Sequence, residues 1–151
     1  MFADDNDRMP RSALWLGLAG VIPFWAAALA FLLTGAGPGF FLHAGLAYGA
    51  VILSFLGGIR WGEALKGRGE RERALLFALS VLPSLAGWAG LILPAIPGVS
   101  LLIAGFLLQA LWDVISVQRG ELPGWFARLR MWLTTLAVTA LLLILLGLLL
   151  S

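Results

Sequence analysis

An all-α bundle of five membrane-spanning helices is the fold class this sequence predicts, and three observations predict it. Hydrophobic residues make up 61% of the 151 positions and charged residues 12%, against about 45–50% and about 25% in ordinary soluble domains. Five apolar runs, 12–33, 40–59, 74–93, 99–117 and 131–150, contain no lysine or arginine, and each is close to the roughly 20 residues a helix needs to cross a bilayer. Threaded through a membrane in that order, the chain places all ten Lys and Arg residues on one side. Backbone groups have no water to pair with in hydrocarbon, so each run must be helical.

Taken in order, residues 1–11 form a polar tail, acidic at Asp4, Asp5 and Asp7 and basic at Arg8 and Arg11. The expectation is a mobile cytoplasmic tail before a single transmembrane domain over 12–151. The first run is longer than the roughly 7–15 residues of a signal-peptide core and no cleavage site follows it, so it is read as a span. Connections 34–39 and 94–98 are uncharged and rich in Gly and Pro, which marks tight turns. Connections 60–73 and 118–130 are polar and basic. By the positive-inside rule, the N-terminus is cytoplasmic (or on the matrix side) and Ser151 lies on the far face. The location implied is the bacterial inner membrane, or the mitochondrial inner membrane in a eukaryote.

Within 121–130, Leu122, Trp125, Phe126 and Leu129 share one helical face after Pro123, the pattern of a short helix lying in the interface before the fifth span. Trp15, Trp61, Trp125 and Trp132 fall near the same interface, as an aromatic belt would. Pro23 and Pro83, the turns at Pro38 and Pro97, and Arg60 and Arg119 recur at nearly constant separation. Two repeated hairpins plus one extra helix would produce that spacing.

Several function classes find no support. The chain has no cysteine, so disulfide and thiolate chemistry are absent, and its one histidine, His43, cannot build a histidine-rich metal site. The net charge of +2 comes from residues flanking the spans, not from a basic face with interleaved aromatics, so nucleic acid is not an expected partner. The Gly-rich segments sit between apolar spans, the wrong context for cradling a phosphate. No catalytic set, metal site or cofactor is predicted, and the chain is read as no enzyme.

Asp113 is the one acid inside an apolar run. An aspartate at a helix centre costs about 2.5–3.5 kcal/mol on insertion scales, so it should face the bundle and find a partner. Arg60, ending the parallel second span, is the expected partner, although the two lie roughly 9 Å apart in level at about 1.5 Å per residue. Gln109 is one turn deeper on the same face as Asp113, and Glu63 follows Arg60. The bland function of such a pair is to set helix register; the sharper one is handling a proton or ligand. Lys66, Arg68, Arg71, Arg73, Arg128 and Arg130 are expected to attract anionic headgroups, at about 1 kcal/mol each. Gly45 with Gly49, and Ala86 with Gly90, form small-xxx-small faces for packing within the chain.

Three stretches resemble the transmembrane-protein-69-like family. They are Ile22-Pro23-Phe24, the second-span ending from Tyr48 through Gly57-Gly58-Ile59-Arg60-Trp61-Gly62, and Leu122-Pro123-Gly124-Trp125-Phe126 on to Leu133-Thr134. The family comprises small membrane proteins of proteobacteria and mitochondria, and the resemblance covers roughly residues 12 to 150. It implies a five-helix inner-membrane protein and brings no activity, cofactor or site residue with it.

The function expected is that of a non-enzymatic accessory, assembly or scaffold protein, acting through helix faces and lipid with a membrane-protein partner or further copies of itself. One alternative is a small oligomeric proton- or ion-coupled transporter or channel using Asp113, Gln109 and Arg60. Another is a lipid- or quinone-binding protein or enzyme at the cytoplasmic interface, with a cleft beside Trp61 and Trp112.

Overall fold

A computed structural model describes residues 8–35, 39–65 and 69–151. The chain forms α1 (Arg11–Leu33), α2 (Phe40–Ala64), α3 (Glu70–Ile92), α4 (Ala95–Gln118) and α5 (Gly124–Leu150). All five are long and apolar enough to cross a membrane, and among the described residues there is no strand.

The helices overrun the apolar runs at the basic end. α2 continues past Arg60 to Ala64, and α3 starts at Glu70, with Glu72 also in its first turn, where negative charge suits the helix dipole. The separate interfacial helix expected over 121–130 is not formed, because α5 runs unbroken from Gly124 to Leu150. Pro123 occupies the position before the first helical residue, and no Gly or Pro lies between Trp125 and Met131. The sequence thus holds one helix start and no stop, and extending an existing helix costs far less than nucleating a second.

Gly120 closes α4. Its φ of +73° is the left-handed region that glycine tolerates. The Gly120 N–H donates to Val117 O at 2.9 Å and the Glu121 N–H to Ser116 O at 2.9 Å, the paired bonds of a Schellman ending. This sharp turn sends α5 back alongside α4.

Packing runs round a ring from α1 to α5 and back to α1, and α2 also touches α4 across it. α2 packs most extensively against α3. Phe24, Leu53, Leu102, Phe106 and Leu141 fill the middle. There Phe24 meets Tyr48 and Phe106 edge-on, with ring centroids 5.1 Å and 5.6 Å away. Lipid tails are as apolar as these side chains, so close contact rather than water exclusion must hold the helices together. α2 and α3 show how close: a Cβ at Gly57 would run into the Ser80 carbonyl oxygen, and one at Gly87 would come within 3.0 Å of the Ala50 backbone. Gly45 and Gly49 are also buried within the chain, against Ala27 and Leu102 respectively. Gly90 lies against Gly98, and Ala86 is half-buried. α3 is the most peripheral helix, with 17% of its spanning window buried against 44% for α2.

Candidate functional site

The buried faces of α2, α4 and α5 carry their inward residues at three- and four-residue steps. On α4 the series includes Leu102, Phe106, Gln109, Asp113 and Ser116. On α5 it runs Arg130, Thr134, Ala137, Leu141 and Ile144. On α2 it includes Leu53, Leu56, Arg60 and Ala64. Toward one end of the bundle all three stripes turn polar, and there their side chains meet.

Asp113 is at the centre. Its Oδ1 pairs with Arg60 Nη2, and its Oδ2 accepts from Arg130 Nε at 2.7 Å. Arg60 Nη1 donates to Ser116 Oγ at 2.6 Å, and the guanidinium carbon lies 5.1 Å from the centre of the Trp112 ring. A desolvated cation over a tryptophan face is stabilised by about 2 kcal/mol or more. Arg60 and Asp113 are each 2% exposed, Ser116 1% and Arg130 7%. Two guanidiniums share one carboxylate, so this buried cluster carries a formal charge of +1. Three buried polar atoms in it make no hydrogen bond: Arg60 Nε, Arg130 Nη2 and Thr134 Oγ1.

The residues expected at a polar site therefore separate. Arg60 and Asp113 form the centre. Gln109 is buried one turn further toward the apolar middle. Glu63 is half-buried on the turn after Arg60. Arg71, Arg73 and Arg128 are exposed, whereas Lys66 and Arg68 lie outside the described residues. Arg130 is the departure. Expected among headgroups, it instead points into the bundle and supplies the second cation, because α5 starts early enough to put it on the helix's inward stripe. Ser116 is a partner that charge alone does not point to. Its three-residue spacing from Asp113 was the available signal.

Two clefts open toward the membrane on either side of the cluster. One, of about 570 Å³, runs between α3 and α4 past Leu75, Pro83, Gln109, Trp112 and Arg119, so a groove borders Trp112, with mostly apolar walls. Trp61 packs on Phe77 instead, at a centroid distance of 4.6 Å. The other cleft, of about 370 Å³, lies among α1, α2 and α5 and has Arg130 and Thr134 on its wall. Among the described residues no three His, Cys, Asp or Glu side chains are grouped to hold a metal ion. His43, at the opposite end, is exposed, with Nδ1 3.0 Å from Gly39 O.

The family described as Protein of unknown function (DUF3429) matches residues 9–146, a range that includes the whole cluster. Transmembrane protein 69 of Xenopus tropicalis is 37% identical over 135 residues, which is 87% of this chain and 53% of that protein. Transmembrane protein 69 of Mus musculus is 38% identical over 84 residues, 55% of this chain and 34% of that protein. The chain thus spans about half of the first relative's length and a third of the second's. No solved structure matches.

Proposed function

This chain belongs to the family described as Protein of unknown function (DUF3429), and on that premise we propose that it is a non-enzymatic accessory, assembly or scaffold protein of the inner membrane, acting through its helix faces and lipid. One observation carries the proposal. The charged cluster binds α2, α4 and α5 together at one end, and past Gln109, one turn further in, the same three stripes become close-packed hydrocarbon at Leu53, Leu102, Phe106 and Leu141. A conduit would continue the polar groups through the bundle. A cross-tie that fixes helix rotation and register would stop where this one stops, and setting register is the best-attested use of a buried polar group. With rotation fixed, the outward faces of these helices, such as Phe55 on α2 and Leu108 on α4, are held in constant positions toward lipid or a neighbouring protein.

The test is purification from membranes in a mild neutral detergent, with cross-linking before extraction. A stoichiometric membrane-protein partner or a defined homo-oligomer is expected, and Asp113→Asn should loosen it. Isolation as a monodisperse monomer with no cross-linked neighbour counts against the proposal. Reconstitution into liposomes separates it from the transporter alternative, since an ion or proton flux that Asp113→Asn abolishes would replace the scaffold reading.

A further inference from the structure

We propose that the cleft among α1, α2 and α5 binds a single-chain lipophilic carboxylate, with Arg130 Nη2 and Thr134 Oγ1 donating to its carboxylate oxygens and the alkyl chain lying along α1 and α2. This site is separate from the accessory role above and stands or falls independently of it.

The first observation is charge. The Asp113 carboxylate is shared by two guanidiniums, so one positive charge in a water-poor setting lacks a counter-ion within the cluster. A charge left in that state is costly, and a matching monoanion removes the cost. The second is the pair of unused donors. Arg130 is bound to Asp113 through Nε alone, which leaves Nη2 buried without a partner. Thr134 sits one turn along on the same face. Its neighbours on the helix, Thr135 and Thr139, use their hydroxyls on the carbonyls of Met131 and Thr135, at 2.8 Å and 2.7 Å. The Thr134 hydroxyl makes no such bond and remains buried and unpaired at 5% exposure. Native proteins rarely leave buried donors unmatched, so each such group calls for an explanation.

The third observation is where these donors stand. Side chains of Arg130 and Thr134 line the cleft of about 370 Å³, with Nη2 and Oγ1 themselves buried behind that wall, so binding requires the two side-chain ends to turn into the cleft; its other walls are hydrocarbon or bare glycine backbone, including Gly17, Gly20, Phe24 and Leu56. Leu16 and Phe55 also line it and are 74% and 66% exposed, so the cleft is open to the bilayer from the side. The volume is at the lower end of the roughly 300–1,000 Å³ of small-molecule sites. It accommodates one alkyl chain rather than the two chains and glycerol of a phospholipid. A long-chain carboxylate meets every condition: one negative charge, two acceptor oxygens for two donors, and one tail reaching the site through lipid.

The experiment uses the full chain, stripped of lipid and placed in neutral phosphatidylcholine nanodiscs, with laurate as the probe and dodecanol, acetate and phosphatidylglycerol as comparisons. Laurate should raise the midpoint of thermal unfolding, while dodecanol, which lacks the charge, and acetate, which lacks the tail, should not. Thr134→Val should weaken laurate binding about tenfold, the loss of one charge-assisted hydrogen bond. Without laurate the same variant should be as stable as wild type or more so, since it deletes an unpaired buried hydroxyl. A threonine with no part in binding would leave laurate affinity unchanged. Gly20→Leu fills tail space, because a Cβ there meets only Tyr48 Oη, at 3.8 Å. It should abolish the laurate response while leaving the charged cluster intact. Equal responses to laurate and dodecanol, no response to laurate, or a wild-type response in both variants would each overturn the site. A response to phosphatidylglycerol with none to laurate would overturn the single-chain carboxylate.

Discussion

Asp113 holds one guanidinium on each carboxylate oxygen, and that stoichiometry decides what its removal does. Replacing Arg60 by glutamine leaves Asp113 paired with Arg130 and a neutral cluster. Replacing Asp113 by asparagine leaves two cations facing each other without an anion. Breaking a buried pair by removing one partner costs about 3–5 kcal/mol, so Asp113→Asn should fall in that range and Arg60→Gln below it. Considered as a pair with Arg60 alone, Asp113→Asn would have been the milder change, since arginine can snorkel; the second arginine reverses the order. Thermal unfolding in detergent of both single variants, Arg130→Gln and the double variants checks this. The Arg60–Asp113 and Arg130–Asp113 cycles should each show coupling. Simple additivity in both would mean that the cluster does not act as a unit.

Among the elements, α2 is the most buried, and its two adjacent glycines illustrate how differently neighbouring positions are placed. Gly57 faces α3, where an added Cβ would meet the Ser80 carbonyl oxygen, a backbone atom that cannot swing away. Gly58 faces open space, with nothing within 4 Å of an added Cβ. Gly57→Ala should therefore destabilise by about 1–3 kcal/mol, the usual cost of overpacking. Gly58→Ala should be neutral or stabilising by up to about 1 kcal/mol, since alanine suits a helix interior better than glycine. Unfolding midpoints that move in the same direction for both variants would contradict the close α2–α3 contact. The sequence shows only two adjacent glycines. Only the rotation of α2 against α3 tells the two apart.

For the whole molecule, the distribution of cations carries the orientation. Arg8, Arg11, Arg71, Arg73, Arg119 and Arg128 all belong to the end of the bundle where α1, α3 and α5 begin and α2 and α4 finish. Loops rich in Lys and Arg stay on the cytoplasmic side, so the α3–α4 turn should face outward. The chain has no native cysteine, which makes the measurement direct. In intact cells Ile96→Cys should react with a membrane-impermeant thiol reagent, and Arg71→Cys should react only after the membrane is opened. The reverse pattern would invert the molecule. The same basic end should favour anionic over neutral lipid at low salt, with Arg71 and Arg73 contributing and Arg130, turned inward, contributing little.

The number of helices, their order and the end that carries the charge were legible in the sequence alone, because hydrocarbon imposes them: each span must be apolar, long enough and internally hydrogen-bonded. Helix starts were less legible. Polar residues such as Glu70 and Arg128 can extend a helix beyond the apolar run, and the 3.6-residue periodicity does not stop at the membrane boundary. Arg60 and Asp113 could be suspected because charges in or beside a span are costly enough to demand partners. Arg130 was assigned to the headgroups because it precedes the fifth apolar run, yet its four-residue step to Thr134, continued through Ala137 and Leu141, already aligns it with the buried face of α5. Which side chains meet, which glycine touches a neighbour and which donor is left unmatched depend on helix rotation and tilt. In lipid those are set by many small van der Waals contacts and a few polar ties between segments remote in the chain, so only the tertiary structure decided them.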